Sequence, residues 1–345
     1  MKPQKSATGL VLIVVLFAVS CALAEIKIVP SEKDKRVDIL YDGKLFTSYI
    51  YPADLEKPVL YPIYTPKGTL VTRGFPRDPR PGERVDHPHH VGLWFNYGDV
   101  NGLDFWNNSY AVPASKKSGY GSIRHQEIVE AKSGKDAGLL RVKTHWINSV
   151  GKVLVVEDTT FRFTGDAHLR RIDRTSTLTA PDEKVVFKDN KEGMMAIRVD
   201  RAFEEPSTKP ETFTDSSGKA TAVPTLNNKG VNGVYRSSTG LEKGAVWGTR
   251  ADWMKLSATK GDEPITLAII DNKQNFGYPA HWHARGYGLF AVNNLAAKVY
   301  NPKEEEVIYT LEPGKPLTLK YRILIKSGSF LSDDEMNREF QSFNK

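Results

Sequence analysis

Apolar and polar residues alternate with a period of two in one segment after another of this chain, and no long stretch repeats at helical spacing. Glu25 to Ile28, Arg36 to Tyr41, Leu45 to Tyr51, Ile123 to Ala131, Leu139 to Ile147 and Val153 to Phe163 read as half-buried strands. So do Leu169 to Leu178, Lys184 to Lys188, Met194 to Val199, Ala245 to Thr249, Ile265 to Asp271, Val307 to Leu311 and Leu317 to Ile325. Tyr41-Asp42-Gly43-Lys44 predicts a tight hairpin, and Glu312-Pro313-Gly314-Lys315 predicts another. One helix is expected, at the C-terminus, where Ser332 and Glu335 form a capping box and Met336, Phe340 and Phe343 share a face.

With no βαβ alternation, no glycine-rich phosphate loop and no internal repeat, the chain reads as all-β: one large antiparallel β-sandwich with a short C-terminal helix. Glu204 to Gly230, rich in Ser, Thr, Pro, Lys and Asn, is expected to be a long polar surface loop. Residues 1–24 read as an export signal, leaving 25–345 as a single sandwich domain. Lys2 and Lys5 precede the apolar run Leu10 to Val19, and Ala22-Leu23-Ala24 supplies small residues for cleavage before Glu25. A periplasmic or extracellular location follows. The sole cysteine, Cys21, lies within the signal, so the mature chain has no thiol. Ser20-Cys21 also resembles the end of a lipid-attachment motif, although Ala18 stands where a bulkier aliphatic residue is usual. No later segment approaches 18 consecutive apolar residues, so no transmembrane span is expected.

Composition adds exclusions. At 40% hydrophobic and 26% charged, the chain can bury a large core and is not a disordered one. Without Lys2 and Lys5 there are 46 basic against 41 acidic residues, a formal charge of +5. That excess is spread evenly, with no basic stripe interleaved with aromatics, so nucleic acid is not an expected partner.

Chemistry concentrates in the histidines. Five of the eight lie in Asp86-His87-Pro88-His89-His90 and His281-Trp282-His283. On extended backbone His87 pairs with His89, and His281 with His283, on one face. If the pairs meet, four imidazoles could bind Zn, Cu, Fe or Mn, or serve as a proton-transfer and sugar-hydroxyl-binding cluster. As single residues each fits equally well as an ordinary hydrogen-bonding partner at a strand end. Trp94, Trp106, Trp282 and Tyr287 offer flat faces for a sugar or other polyol, while Arg73, Asp104, Asn107, Arg285 and Asn293 offer hydroxyl or carboxylate partners. Glu192 opens an apolar strand and is a candidate acid or base; Asp86 could orient His87 or His89. No G-x-S-x-G elbow supports serine hydrolase chemistry.

Five segments carry a resemblance: Tyr61 to Gly68, Thr72 to Phe75, Asp86 to Trp94, Val100 to Trp106 and Trp282 to Phe290. In these the chain resembles a bacterial family of exported proteins labelled methane oxygenase PmoA, otherwise a domain of unknown function. The resemblance implies a sandwich comparable to the galactose-mutarotase-like supersandwich, and carbohydrate by association, since members tend to be encoded among glycan-utilisation proteins. The matching positions here are Arg73, Asp86, His87, His89, His90, Asp104, Trp106, Glu192, His281, His283 and Arg285.

Three functions are consistent with this reading. The first is an exported carbohydrate-active hydrolase, lyase or epimerase, with His89 and His283 in acid/base or ligand roles and Arg285 steadying the substrate. The second is a non-catalytic glycan-binding protein using the same cleft. The third takes the H-x-H pairs as the ligands of a soluble metal-dependent oxidase.

Overall fold

The computed structural model describes residues 25–345, so the expected signal and Cys21 lie outside the described residues. Two eight-stranded sheets, antiparallel throughout, form the all-β sandwich that the alternation implies. The first runs, edge to edge, Ile26–Ser31, Arg36–Tyr41, Lys44–Ile50, Val59–Ile63, Leu93–Tyr97, Gly193–Arg198, Leu289–Asn293 and His281–Arg285. The second runs Val234–Ser237, Trp253–Lys260, Glu263–Asp271, Leu317–Ser327, Leu169–Thr179, Val153–Gly165, Gly138–Ile147 and Ser122–Lys132. Inward side chains of both sheets share one core, which includes Ile39, Phe95, Ile197 and Phe290 from the first and Trp146, Phe161, Leu267 and Ile323 from the second.

The Asp42-Gly43 hairpin forms as expected, with both residues at positive φ (48° and 77°), the geometry that matches strand twist. The Glu312 to Lys315 turn also forms, yet it does not make a hairpin. Ile308–Leu311 pairs with Val185–Lys188, whereas Leu317–Ser327 joins the second sheet. Ala245 to Thr249 is not a strand. Lys243–Val246 is a 3-10 turn flanked by Glu242 and Trp247, and it buries Val246. The polar segment from Glu204 to Gly230 holds a short hairpin of its own, Glu211–Thr214 with Ala220–Val223, which reaches Arg84 through a bridge at Phe213. The C-terminal helix, Asp333–Phe343, has the predicted capping box and buries Met336 and Phe340 against Trp253 and Ile270 of the second sheet.

Three of the strands that alternation does not mark are covered on both faces. Leu93–Tyr97 and Leu289–Asn293 are buried at every position, and His281–Arg285 at all but the last. Loops close over the outer face of the first sheet, so its central strands lose the polar half of the pattern.

Candidate active site

The site is built on that outer face. Strand pairing sets Trp94 opposite Ala196, Ala196 opposite Ala291 and Ala291 opposite His283. Trp94 and His283 thus flank two alanines, with their backbones roughly 14 Å apart at sheet spacing. One register step away, Arg198 and Arg285 flank Leu289. Period-two alternation puts His281, His283 and Arg285 on the outer face and Trp282 on the inner one, where it joins the core and donates to the Ala251 carbonyl at 3.0 Å. Trp282 is therefore a packing residue and offers no stacking face.

Asp86 to His90 is not extended. His87 has φ +45°, and the His90 amide donates back to the His87 carbonyl at 2.9 Å, closing a turn around Pro88. Two buried guanidinium groups hold that turn. Arg73 donates to the Asp86 carboxylate and to the carbonyls of Asp86 (2.9 Å), His87 (3.0 Å) and His90 (3.2 Å). Arg198 donates to Asp86 Oδ1 at 2.7 Å and to His90 Nδ1 at 3.2 Å. Burial alone would raise the Asp86 carboxyl; His87, Arg198 and Arg73 together hold it well below the usual range. Arg73, expected as a substrate ligand, is committed to the turn. Asp86 does contact His87, accepting from Nδ1 at 2.9 Å, as its sequence neighbourhood suggests.

The turn stacks its rings into a column. Tyr287 lies parallel to His87 (5.2 Å, 4°), His87 to His90 (4.8 Å, 3°) and His90 to Trp94 (5.1 Å, 22°). Trp106 meets both His90 and Trp94 edge-on, and His89 stands at 77° to His87 and His90. The Arg198 guanidinium covers Tyr287 at 4.8 Å, and the Lys57 ammonium lies 5.5 Å from the Trp94 ring. His87 is the exposed member; His90, Trp94 and Trp106 are sealed.

Glu192 and His283 sit beside this column. Asp189 fixes the backbone leading to Glu192 by accepting the amides of Ala297 (3.0 Å), Lys298 (2.9 Å) and Val307 (3.0 Å). Tyr300 adds a hydroxyl donor to the Lys191 carbonyl at 2.6 Å. His283 Nδ1 also lies 3.0 Å from that carbonyl, which can only accept, so Nδ1 carries the proton and Nε2 receives Arg285 Nε at 3.4 Å. Burial, with Arg285 adding to it, pulls His283 down to about 3, so the ring is neutral. Glu192 Oε2 is 3.6 Å from His283 Nδ1. Burial, reinforced by the Asp104 charge, raises the Glu192 carboxyl, while Lys191, His87 and Arg285 oppose the shift. Asp104 is itself held by Asn107, which donates from its amide at 2.9 Å and from Nδ2 at 2.7 Å.

The four histidines considered for a shared metal do not come together. His281 Nδ1 is bound to the Gly248 carbonyl at 2.8 Å and its ring stacks on Tyr300, next to the Arg250–Glu304 ion pair. Both His283 nitrogens are engaged, and His87 is held by Asp86. Among the described residues no group of three or more His, Cys, Asp or Glu side chains is arranged to hold a metal ion. His283, by contrast, does meet Glu192 at 3.6 Å and Arg285 at 3.4 Å, and Arg285 lines one cleft together with His87.

Two clefts open on either side of the histidine turn. One, of 460 Å³, is lined by Asp86, His87, Arg285, Tyr287 and, from the polar segment, Glu205 and Glu211. The other, of 360 Å³, is lined by Glu56, Lys57, His89, Val91, Asn108 and Tyr110. The residues that sequence reasoning missed are Arg198, Lys57 and Asp189. Arg198 and Lys57 had a signal, a lone cation beside an apolar strand, whereas nothing in the sequence marks Asp189.

No curated protein is significantly similar in sequence to this chain. In fold it is similar to a GH36 alpha-galactosidase from Geobacillus stearothermophilus, at 13% identity and TM-score 0.40, covering 88% of this chain but 41% of that one. It is also similar to a galactose mutarotase-like protein from Clostridium acetobutylicum (11% identity, TM-score 0.38, 87% and 98% covered). A galactose mutarotase related enzyme from Lactobacillus acidophilus gives 10% identity and TM-score 0.30, with 88% and 97% covered. The chain thus spans less than half the length of the alpha-galactosidase. A family model described as a family of unknown function, DUF6807, matches residues 36–341. That match replaces the methane oxygenase PmoA family to which the five segments pointed.

Proposed function

The chain belongs to the DUF6807 family, and from its own site geometry we propose that it is an exported carbohydrate-active enzyme in which Glu192 moves a proton at a sugar lodged against His87 and Tyr287. One observation carries this reading: a half-buried carboxyl with raised proton affinity beside a neutral imidazole and a guanidinium. Such a carboxyl holds its proton more readily than an exposed one and can still release it, because Lys191, His87 and Arg285 stabilise the anion that forms.

The roles differ from the first expectation. His283 has its only lone pair turned to Arg285 and is a poor base, so it orients the guanidinium and Glu192 takes the proton-transfer role. Arg285 faces the 460 Å³ cleft and offers donors to a hydroxyl or a developing oxyanion. His87 and Tyr287 border the same cleft with their ring edges, since the column and Arg198 cover their faces, and they suit hydrogen bonding to sugar hydroxyls. Epimerisation, elimination and hydrolysis all use proton transfer of this kind.

A second reading, non-catalytic sugar binding, is favoured by the low basicity of His89 and His283, which fits both to permanent hydrogen bonding. Incubation with a glycan panel, followed by NMR for new reducing ends, double bonds or inverted centres, separates the two. We expect product from the native protein and a loss of roughly 100-fold or more in Glu192→Gln with binding retained. Tight binding with no product from the native protein would establish the binding reading instead.

A further inference from the structure

Behind the histidine turn lies a second group of polar atoms that the proton-transfer site does not use. Eleven buried side-chain nitrogens and oxygens lack a partner among the described residues, and six belong to this assembly: on Arg73, His89, His90, Trp94, Trp106 and Arg198. Such groups are individually rare, because each one left unpaired costs about 1–3 kcal/mol. Their concentration in one place points to a ligand.

The chemistry of that ligand follows from the hydrogens. Indole Nε1 of Trp94 and of Trp106 can only donate. His90 accepts Arg198 on Nδ1, so in its neutral form the proton sits on Nε2, and Nε2 is the orphaned atom. Three unmatched donors therefore sit on neighbouring rings, with centroids 5.1, 5.2 and 5.8 Å apart, and only His89 Nε2 has an open role. The Lys57 ammonium lies over the Trp94 ring, buried, with the His89 carbonyl at 2.8 Å as its one hydrogen-bond partner. A hydroxyl would bring a hydrogen that needs an acceptor, whereas a carboxylate brings only acceptors and the charge that Lys57 calls for. The way in is the 360 Å³ cleft, in whose wall Lys57, His89 and Val91 separate the opening from the two indoles.

We propose that this pocket seats the carboxylate of a uronic acid, with Lys57, His90, Trp94 and Trp106 as its donors. The carboxylate part stands on the pocket alone; the sugar part rests on the function proposed above. Burial lowers the Lys57 ammonium to about 7, and a bound carboxylate would restore its proton affinity, in keeping with the assignment.

Calorimetric titration of the full chain with D-glucuronate, D-galacturonate, their neutral counterparts glucose and galactose, and acetate tests this at pH 6.5. One uronate should bind at least about 10-fold tighter than its neutral partner, as charge-assisted bonds to buried donors require. Trp94→Phe and Trp106→Phe, which keep the ring and lose the N–H, should each weaken that uronate about 5-fold or more, and Lys57→Met about 10-fold or more, with the neutral sugar unmoved. A uronate-terminated disaccharide set beside the free acid shows whether the source is a glycan end or a monosaccharide, either of which supports the pocket. Equal affinity for acid and neutral sugar, or no uptake of either acid, overturns it without recourse to any variant. Acetate binding as tightly as glucuronate, and lost in the three variants, would uphold the carboxylate pocket and overturn the sugar reading.

Discussion

Arg198 donates to Asp86 across 112 positions of sequence, at 2.7 Å, from a side chain with no exposed surface. This bond ties the end of an inner strand to the turn that carries three histidines. The pair is not isolated, since Arg73 holds the same carboxylate from the other side. Removing the acid leaves two buried cations without compensation. Asp86→Asn should lower stability by about 3–5 kcal/mol. That corresponds to a fall in Tm of roughly 4–7 °C for a chain of this size. Thermal unfolding followed by circular dichroism checks it, and a change within 2 °C would show that the turn is held by packing alone.

The buried histidines make stability depend on pH in one direction. Burial lowers His283 to about 3 and His89 to about 2, and it lowers His90 as well. In the unfolded chain an imidazole takes up its proton near 6.5, so below that value the unfolded state binds more protons. The contribution is complete above about pH 6.5 and is lost as pH falls, by up to about 1.4 kcal/mol per pH unit for each histidine. Asp86, also depressed, adds loss in the same sense only below its unfolded value near 3.9. Urea unfolding at pH 8, 6.5 and 5 should show the decline, and His89→Gln with His283→Gln should flatten it between 6.5 and 5. An unchanged slope in the double variant would assign the decline elsewhere.

Asp189 is a positioning residue. It collects four backbone amides, those of Ala297, Lys298, Val299 and Val307, and so sets where Glu192 stands. Asp189→Ala should lower turnover about 10-fold or more while substrate affinity changes little, because misplacement weakens transition-state contacts first. Asp189→Asn, which keeps one acceptor, should recover part of the loss. Equal activity of all three proteins removes the role.

Gly92 links the histidine turn to Leu93–Tyr97. Its φ is +57°, and a β-carbon there would stand 2.3 Å from the Leu60 carbonyl oxygen. Gly92→Ala should therefore destabilise by about 2 kcal/mol or more, from left-handed strain and from displaced backbone. Since His90 and Val91 must move with it, uronate binding should weaken in the same variant. A stable variant with native binding would mean that the strand end yields without disturbing the turn.

The sheets were legible where one face is wet. Arg36–Tyr41 and Leu169–Thr179 alternate and were read correctly, while Leu93–Tyr97 and Leu289–Asn293 are buried throughout and gave no period. The His281/His283 pair shares a face, as period two demands, yet the two rings meet different surroundings, which spacing does not encode. The Asp86 to His90 segment defeated the extended reading because its shape is imposed from afar. Pro88 and His87 can turn, and the guanidinium groups of Arg73 and Arg198 make them do so. The bonds that hold the histidine turn and bring Lys191 and Glu192 to His283 connect residues about 100 positions apart, which spacing along the chain does not encode.

Ala196 and Ala291 contribute no functional group, and they pack with Trp94, Trp106, Leu289 and Tyr287 in one small cluster. Their smallness sets how deep the aromatic column can sit above the sheet. Each added methylene at either position would lift the column outward and shift the histidine turn with it, while every strand hydrogen bond stayed in place. The height of the column is thus tunable from beneath, by two residues that contribute only their size, much as a shim sets the height of a jaw.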